Sequence, residues 1–484
     1  MTDIATGAAG LAQLQARLEQ DLAWLELPAK RWVVARELES AAVLEVAVIG
    51  AGMAGMAAAA SLTLTGIQAV IFDRAPAGYE GPWVTTARMQ TLRSPKQLTG
   101  PALGLPALTF RAWFEAQFGL QAWNDLDKIP RTQWMDYLRW YRQALKLDVR
   151  NEHLVTNIEP RTDGLVRLTI NTPSGQQVIY ARRVVLATGR DGLGGAYVPE
   201  IAATLPRTLW AHSSDTLDYS TLAGKRVGVV GAGASAMDSA ATALEAGAKS
   251  VDLLIRRRDL PRINKGKGAG NAGMVIGFVD LPEQWKWRIR HYLGVEQVPA
   301  PRGSTLRVSK HPNAYFNFGC SLESISVNDN MLTVHTPQGA FELDFLIFST
   351  GFKIDWWTRP EYASIAPYVL SWKHRQAEMN EPASQEMLDS PDLGMAFEFK
   401  EIAPGACPGL SSIHCFCYPA ALSHGTVSGD IPAISEGAKR LSAGIASLFY
   451  REDIAEHFHR MELYDDAELL GDEWTPAAKR STNS

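Results

Sequence analysis

The stretch from Val43 to Asp73, VLEVAVIGAGMAGMAAAASLTLTGIQAVIFD, constrains the fold of this chain more than any other. Its opening apolar run is typical of a buried parallel strand, and Gly50, Gly52 and Gly55 follow it in G-x-G-x-x-G spacing. The first glycine permits a tight strand-to-helix turn, the second lets backbone approach a pyrophosphate, and the third lets helix and strand pack closely. A small-residue helix and a second apolar run then lead to Asp73, an acid placed to bond ribose hydroxyls. The stretch therefore predicts a dinucleotide-binding βαβ unit.

The same signature returns later, in GKRVGVVGAGASAMDSAATALEAGAKSVDLLIRRR, where Gly231, Gly233 and Ser235 lie at the turn. Its second strand ends in arginines, Arg256 and Arg257, instead of an acid. An acid at this point favours a free ribose 2′-hydroxyl, whereas arginine accommodates a 2′-phosphate. This half is therefore expected to bind NADPH in preference to NADH, with a solvated basic turn as the alternative interpretation.

Two such motifs imply two dinucleotides, and the acid-terminated site suits FAD while the arginine-terminated site suits NADPH. The simplest chemistry that unites them is hydride transfer from nicotinamide to flavin. The expected fold is α/β, with two Rossmann-like dinucleotide-binding domains (an FAD domain with an inserted NADPH domain) and an N-terminal helical extension. The predicted boundaries are 1–42 for the extension, 43–205 and 331–484 for the FAD-binding domain, and 206–330 for the NADPH-binding domain. Within the last of these, residues 261–320 are rich in Gly and Trp and are expected to be irregular.

Composition excludes several classes of partner. The 484-residue chain has a formal net charge of −5, which gives no electrostatic reason to expect nucleic acid or an anionic membrane as partner. No secretory signal, transmembrane span or metal-binding pattern is visible, so a cytoplasmic protein is expected. Its four cysteines cannot form a disulfide framework, and Cys415 and Cys417 form C-x-C, not the C-x-x-C of a redox dithiol. Small molecules are the expected partners, and a homo-oligomer is left open.

Two terminal segments carry further expectations. Leucines at helical spacing from Leu11 to Leu25 predict an amphipathic helix. This helix is expected to be an arm packed on the body or on a second subunit, and a lid over the active site is the alternative. Near the other end, Asp430 precedes Pro432 and a periodic run over residues 433–449. Asp430 is therefore expected near a helix N-terminus that faces a ligand.

These motifs, together with GYEGPW ending at Trp83, the VVLATG turn and the late strand LDFLIFSTGF, resemble the class B flavoprotein monooxygenases. That class contains flavin-containing monooxygenases, Baeyer–Villiger monooxygenases and ornithine/lysine N-hydroxylases. The segments QTLRSPKQLT, TFRAWF and PRTQWMDYLRWY are similar to those lining the flavin in the N-hydroxylases, and the resemblance spans roughly residues 43–450. The Baeyer–Villiger fingerprint F-x-G-x-x-x-H-x-x-x-W/Y is not matched around His212, which reads LPRTLWAHSSDTLDY. The chain thus looks like a separate branch of the class.

The resemblance implies that NADPH reduces FAD and that a C4a-(hydro)peroxyflavin formed with O2 passes one oxygen atom to a small organic substrate. Protein catalysis would then consist mainly of positioning and exclusion of water. The expected residues are these: for FAD, Gly50, Gly52, Gly55, Asp73, Arg74, Trp83 and Asp430; for NADPH, Gly231, Gly233, Ser235, Arg256 and Arg257; for the oxygenation face, Lys96 and Gln97 with His212 behind them. Lys96 as a solvated loop lysine and His212 as a packed core histidine are the alternative interpretations.

The electron acceptor and the substrate are the points that stay open. An NADPH-dependent flavoprotein reductase passing electrons to a quinone, a disulfide or a protein partner is the alternative enzyme, and a flavin sensor without turnover is the alternative from another class. Among monooxygenase substrates, an amine, a sulfide, a heteroaromatic ring such as a purine, and a ketone are all compatible with the sequence.

Overall fold

The computed structural model describes residues 6–39, 41–379 and 381–477. The strands span Glu37–Leu38 (β1), Ala41–Ala42 (β2), Leu44–Ile49 (β3), Ala69–Phe72 (β4), Val149–Arg150 (β5), Leu154–Pro160 (β6), Val166–Thr172 (β7), Gly175–Leu186 (β8), Gly194–Ala196 (β9), Trp210–His212 (β10), Arg226–Val230 (β11), Ser250–Ile255 (β12), Ala314–Phe318 (β13), Ser324–Asn328 (β14), Met331–Thr336 (β15), Gly339–Leu343 (β16), Phe345–Phe348 (β17), Phe352–Ile354 (β18) and Ile413–Cys415 (β19). The helices span Gly7–Trp24 (α1), Met53–Leu64 (α2), Phe110–Asp125 (α3), Arg131–Ala144 (α4), Ala234–Glu245 (α5), Gly266–Ala269 (α6), Ala272–Gly277 (α7), Glu283–Glu296 (α8), Arg302–Ser309 (α9), Gln385–Asp389 (α10), Ala421–His424 (α11), Ile434–Glu452 (α12) and Ile454–Glu462 (α13). In this part of the chain, no helix is both long and apolar enough to cross a membrane.

The first sheet is built around the first glycine motif. Strand β3 pairs in parallel with β4 on one side and with β8 on the other, and β19 pairs in parallel with β8. The order β5-β4-β3-β8-β7-β6 ends in the antiparallel pairs of β6, β7 and β8. Strand β4 is buried throughout, as expected for a parallel strand covered on both faces. Helix α2 is held against α12 by its small side chains and by the Ser61–Ser442 hydroxyl hydrogen bond of 2.7 Å.

The second sheet has the order β10-β17-β11-β12-β13, and all of its strands are parallel. Together the two sheets confirm the predicted α/β class with two Rossmann-like units. The predicted boundary at residue 331 is wrong, because Phe345–Phe348 (β17) pairs with β10 and β11 of the second sheet. The small antiparallel sheet β14-β15-β16 leads directly into β17. Residues 331–348 therefore belong to the second unit.

The segment 261–320 is not irregular. It contains α6, α7, α8 and α9 and ends in β13, the edge strand of the second sheet. Its short helices carry few buried residues, and α8 buries only Trp287 among its own side chains. A weak apolar stripe gives a weak periodic signal, which is why the sequence pattern missed these helices.

The N-terminal extension forms α1, as its leucine spacing predicted. The helix buries Gly10, Leu14 and Leu18, and it packs on α3 of the first unit. All residues of α1 are described by the structure, and none of them lines the central cavity. Helix α1 is therefore an arm packed on the first unit and not a lid.

Candidate functional site

A cavity of about 3490 Å³ lies where the carboxyl ends of strands from both sheets face each other. Its wall contains the turns that follow β3, β4 and β8 of the first sheet and β11, β12 and β17 of the second. A pocket for one drug-sized ligand measures about 300–1,000 Å³, so this cavity has room for more than one ligand. The carboxyl edge of a parallel sheet is where α/β proteins bind ligands.

The first glycine loop divides into packed and open positions. Gly50 has φ +102°, and a Cβ built on it would lie 2.5 Å from the carbonyl oxygen of Ala187. A Cβ on Gly55 would lie 1.8 Å from the carbonyl oxygen of Gly50. Gly52, in contrast, faces open space, with its closest neighbour, the Cα of Gly81, 3.9 Å from a built Cβ. Because α2 begins there with no side-chain cap, its free N–H groups are available to a phosphate.

Asp73 orders this loop and also faces the cavity. One carboxylate oxygen accepts from the Ala51 N–H at 2.6 Å, and the other accepts from the Ala75 N–H at 2.7 Å. A carboxylate has about four acceptor positions, so two hydrogen bonds leave capacity for ribose hydroxyls. The neighbouring Arg74 extends its exposed side chain along the same wall.

The second glycine loop repeats the pattern. Gly231 has φ +135°, and a built Cβ would lie 2.7 Å from the carbonyl oxygen of Ser349. A Cβ on Gly233 would meet nothing within 4 Å. Gly233 is the N-cap of α5, with Ser235 exposed in the first turn. Both glycine loops thus present an open, uncapped helix N-terminus to the cavity, and the residues present fit two dinucleotides.

The arginines after β12 line the second half of the cavity. Arg256 is exposed to it, while a guanidinium nitrogen of Arg257 donates to the carbonyl oxygen of Val295 at 3.1 Å. The hydrogen bond to Val295, at the end of α8, fixes the direction of Arg257 and leaves its remaining donors available. Two cations therefore stand at the ribose end of the second loop, where a 2′-phosphate would lie.

Three of the residues predicted around the flavin line the cavity from the first unit: Trp83, Lys96 and Gln97. Gln97 is exposed to the cavity, and Trp83 is half-buried with its ring edge-on to Trp134 at 6.3 Å. The ammonium of Lys96 donates to the carbonyl oxygens of Trp123, at 2.7 Å, and Leu126, at 2.5 Å. These are carbonyls of the last turn of α3 and its C-cap, where a cation is favourable. The ammonium thus stabilises the C-terminus of α3, and any role at the oxygenation face stays a prediction.

His212 has a buried environment, and its predicted place behind the oxygenation face stays a prediction. His212 ends β10 in the second sheet, is 1% exposed and does not line the cavity. Its Nδ1 shares a 2.7 Å hydrogen bond with the hydroxyl of Ser214, and its ring packs edge-on against Phe352. Burial lowers the pKa of His212, so the imidazole is neutral at physiological pH. These are the contacts of a packed core histidine.

Asp430 faces the cavity just before the 3-10 turn that leads into α12. Water reaches its carboxylate through the cavity, yet protein surrounds it on most sides, and this desolvation raises its pKa. A carboxylate in such surroundings favours a hydrogen-bond donor, such as a ribityl or ribose hydroxyl.

Two cavity-lining arginines were missed by the sequence reasoning. Arg190 directly follows the VVLATG turn, and Arg93 lies in the RSPK segment. An Nη atom of Arg93 lies 3.6 Å from a carboxylate oxygen of Asp238, which is 3% exposed on α5 of the second unit. The position of Arg190 after the glycine turn at the end of β8 is the signal that was available.

Comparison with known proteins agrees with this geometry. A family model described as L-lysine 6-monooxygenase/L-ornithine 5-monooxygenase matches residues 42–267. The FAD-dependent urate hydroxylase of Xanthomonas campestris pv. campestris is 37% identical over 464 residues, which cover 95% of this chain and 98% of that protein. The L-lysine N6-monooxygenase of Escherichia coli is 27% identical over 256 residues, 47% of this chain and 57% of that protein.

Solved structures agree at the level of the fold. The ornithine N-hydroxylase of Kutzneria sp. 744, solved with reduced FAD, NADP⁺ and L-ornithine, matches with a TM-score of 0.62. Its sequence identity is 17%, and the match covers 84% of this chain and 99% of that chain. At this identity the likeness shows a shared fold.

Proposed function

This chain belongs to the FAD-dependent monooxygenases that include the urate hydroxylase and the lysine and ornithine N-monooxygenases, and from that membership we propose its cofactors, substrate and site residues. We propose that it uses FAD, NADPH and O2 to hydroxylate urate or a closely related purine. The observation that carries this proposal is the 37% identity to a urate hydroxylase along 98% of that protein's length. Relatives of this kind favour oxygenation over the reductase alternative.

The site residues support two dinucleotides in one cavity. We propose that the first glycine loop, with Asp73, Arg74, Trp83 and Asp430, holds FAD. The second loop, with Ser235, Arg256 and Arg257, would hold NADPH. Both loops open into the same cavity, which is the arrangement that hydride transfer between two cofactors requires. The corresponding units would be residues 43–205 with 349–477, and residues 206–348.

The chain's own contribution is binding, orientation and exclusion of water. When bound, FAD supplies the redox chemistry by accepting a hydride from NADPH and activating O2. The open N-termini of α2 and α5 would receive the phosphates of the two dinucleotides. Helices α6, α7 and α8 contribute residues to one wall of the cavity and so shield it from solvent.

The proposed function is tested on the FAD-loaded enzyme with urate under ¹⁸O2. We expect NADPH to bleach the flavin anaerobically, and we expect one ¹⁸O atom in the urate-derived product, with NADPH consumed in equal amount. Xanthine, L-ornithine and L-lysine serve as comparison substrates in the same assay. Oxygenation of ornithine or lysine but not urate would contradict the purine assignment. Reduction of the flavin followed by peroxide release with every substrate would favour the reductase alternative.

A further inference from the structure

The guanidinium of Arg190 lies over the face of an aromatic ring inside the cavity. Its guanidinium carbon lies 3.7 Å from the centroid of the Tyr418 ring, while the ring of Phe352 is 6.0 Å away on the same wall. The Tyr418 N–H donates to the carbonyl oxygen of Gly189 at 3.2 Å, which ties the two backbone segments together. This backbone contact therefore brings the side chains of Arg190 and Tyr418 together.

The guanidinium of Arg190 is available to bind a ligand. It makes no hydrogen bond or ion pair with any other residue that the structure describes, and it is exposed to the cavity. A guanidinium carries five N–H donors in its plane, and stacking on an aromatic face uses none of them. Its in-plane edge is therefore free to make a two-point contact with a planar acceptor.

A second guanidinium faces the same cavity. Desolvation by burial lowers the pKa of Arg93, Asp238 raises it, and the positive charge of Arg190 lowers it further. Both arginines line the cavity, and an Nη atom of Arg93 lies 3.6 Å from a carboxylate oxygen of Asp238. An anion in this cavity would be attracted by both positive charges.

We propose that Arg190, stacked on Tyr418, binds the anionic edge of the substrate and restricts the site to planar, negatively charged nitrogen heterocycles. The guanidinium would donate to a deprotonated ring nitrogen and its adjacent carbonyl oxygen, an acceptor pair that urate offers and a primary amine lacks. This inference rests on the proposed function and adds the residue that selects the substrate. A phosphate of the nicotinamide dinucleotide offers the same acceptor chemistry, and the test distinguishes the two sources.

The test measures binding separately from turnover. Urate is titrated into the oxidised, FAD-loaded enzyme and followed through the flavin absorbance, and NADPH is titrated anaerobically through the rate of flavin reduction. The variants are Arg190→Gln, which removes the charge, and Arg190→Lys, which keeps the charge and loses the planar edge. Arg17→Gln, on the exposed face of α1, is the matched control. Flavin content and melting temperature establish that each variant is folded.

We expect Arg190→Gln to raise the Kd and KM for urate on the order of 10- to 100-fold, Arg190→Lys to raise them less, and the control to leave them unchanged. The Kd for NADPH is expected to change by less than about 2-fold. Weaker NADPH binding with unchanged urate binding would overturn the inference and assign Arg190 to a dinucleotide phosphate. Urate that binds in an Arg190-dependent way but yields no oxygenated product would overturn the proposed function alone. A wild-type enzyme that binds no urate, or variants that bind it normally, would overturn this inference.

Discussion

An Nη atom of Arg93, in the first unit, lies 3.6 Å from a carboxylate oxygen of Asp238 on α5 of the second unit. The other carboxylate oxygen accepts from the Ser304 hydroxyl at 2.7 Å and lies 3.5 Å from the guanidinium of Arg307. Arg307 in turn donates to the carbonyl oxygen of Arg88 in the first unit. Since α5 begins at the second glycine loop, Asp238 links the half of the cavity proposed to hold NADPH to the loop that carries Arg93.

We predict that Asp238→Asn weakens the coupling between NADPH oxidation and oxygenation. The substitution keeps the shape but leaves two guanidinium groups without their shared carboxylate, at a cost on the order of 2 kcal/mol in the free energy of unfolding. The measurements are thermal unfolding and the ratio of peroxide released to NADPH consumed. We expect the melting temperature to fall and the peroxide ratio to rise. Asp259→Asn, which breaks the exposed pair with Arg262, is the control expected to change neither. A stable variant with unchanged coupling would contradict the prediction.

The arginines after β12 give a prediction on cofactor choice. Replacing both Arg256 and Arg257 with alanine removes the charges expected at the 2′-phosphate, which NADH lacks. We expect the KM for NADPH to rise by a factor corresponding to about 1–3 kcal/mol, roughly 5- to 150-fold. The KM for NADH is expected to change little. Equal effects on the two cofactors in steady-state assays would contradict the 2′-phosphate assignment.

Gly233 and Gly55 give opposite predictions for the same substitution to alanine. A Cβ on Gly233 meets nothing within 4 Å and its φ of −81° suits any residue, so the stability should change by less than about 0.5 kcal/mol. The methyl group would nevertheless occupy the open face that a pyrophosphate needs, and we expect the Kd for NADPH to rise on the order of 10-fold. Gly55→Ala places its Cβ 1.8 Å from the Gly50 oxygen and is expected to yield little folded, FAD-loaded protein. Flavin content, thermal unfolding and NADPH titration check both variants. Normal NADPH binding by Gly233→Ala would show that this face is not used.

The parts of the fold that local pattern determines were predictable. Each glycine motif contains strand, turn and helix within one short stretch, so the packing of Gly50 and Gly231 follows from residues nearby in sequence. The strand at 345–348 shows the limit of such patterns. Its apolar run ending in a Gly turn resembles the end of β8, and nothing local states which of two similar sheets it joins.

Side-chain placement depended on partners distant in sequence. Lys96 meets the end of α3, and His212 packs against Phe352, so neither environment is encoded in the motif that drew attention to the residue. Arg190 shows the converse case of a functional candidate with a weak local pattern, since its signal in the sequence is its position directly after the glycine turn that ends β8. Its significance comes from Tyr418, which only the pairing of β19 with β8 brings beside it.

Arg440 gives a prediction about the cavity wall. Its guanidinium donates to the carbonyl oxygens of His424, at 3.1 Å, and Val275, at 2.9 Å. It therefore connects α12 to α7, whose residue Val275 lines the cavity. We expect Arg440→Ala to loosen this wall, admit water and increase the peroxide released per NADPH several-fold, with flavin content retained. Arg440→Lys, which can reach one of the carbonyls, is expected to be intermediate. An unchanged peroxide yield in both variants would rule out the wall as a barrier to water.

Two buried histidines predict how stability depends on pH. Burial lowers the pKa of His414 to about 3, helped by the charge of Arg183, and burial likewise lowers the pKa of His424 to about 3, helped by Arg440, Lys286 and Lys400. In the unfolded chain both regain the ordinary value of 6.5, so between pH 6.5 and about 3 the unfolded state binds more protons than the folded state. The contribution of these two histidines to the free energy of unfolding is therefore fully present above pH 6.5, and it is lost as the pH is lowered through this window.

At pH 5 each of these histidines is expected to have removed about 2 kcal/mol from the free energy of unfolding. Urea unfolding of the FAD-loaded enzyme at pH 7, 6 and 5 measures the slope. His424→Gln keeps a donor for the Gly394 carbonyl, which His424 contacts at 2.9 Å, and removes one titrating group. The His424→Gln variant should lose about half of the pH dependence of the free energy of unfolding that is attributed to the two histidines. This holds even where the variant is less stable than the wild type at pH 7. The exposed His459→Gln is the control expected to leave the slope unchanged. A variant with the full wild-type slope would show that His424 is not held neutral by the fold.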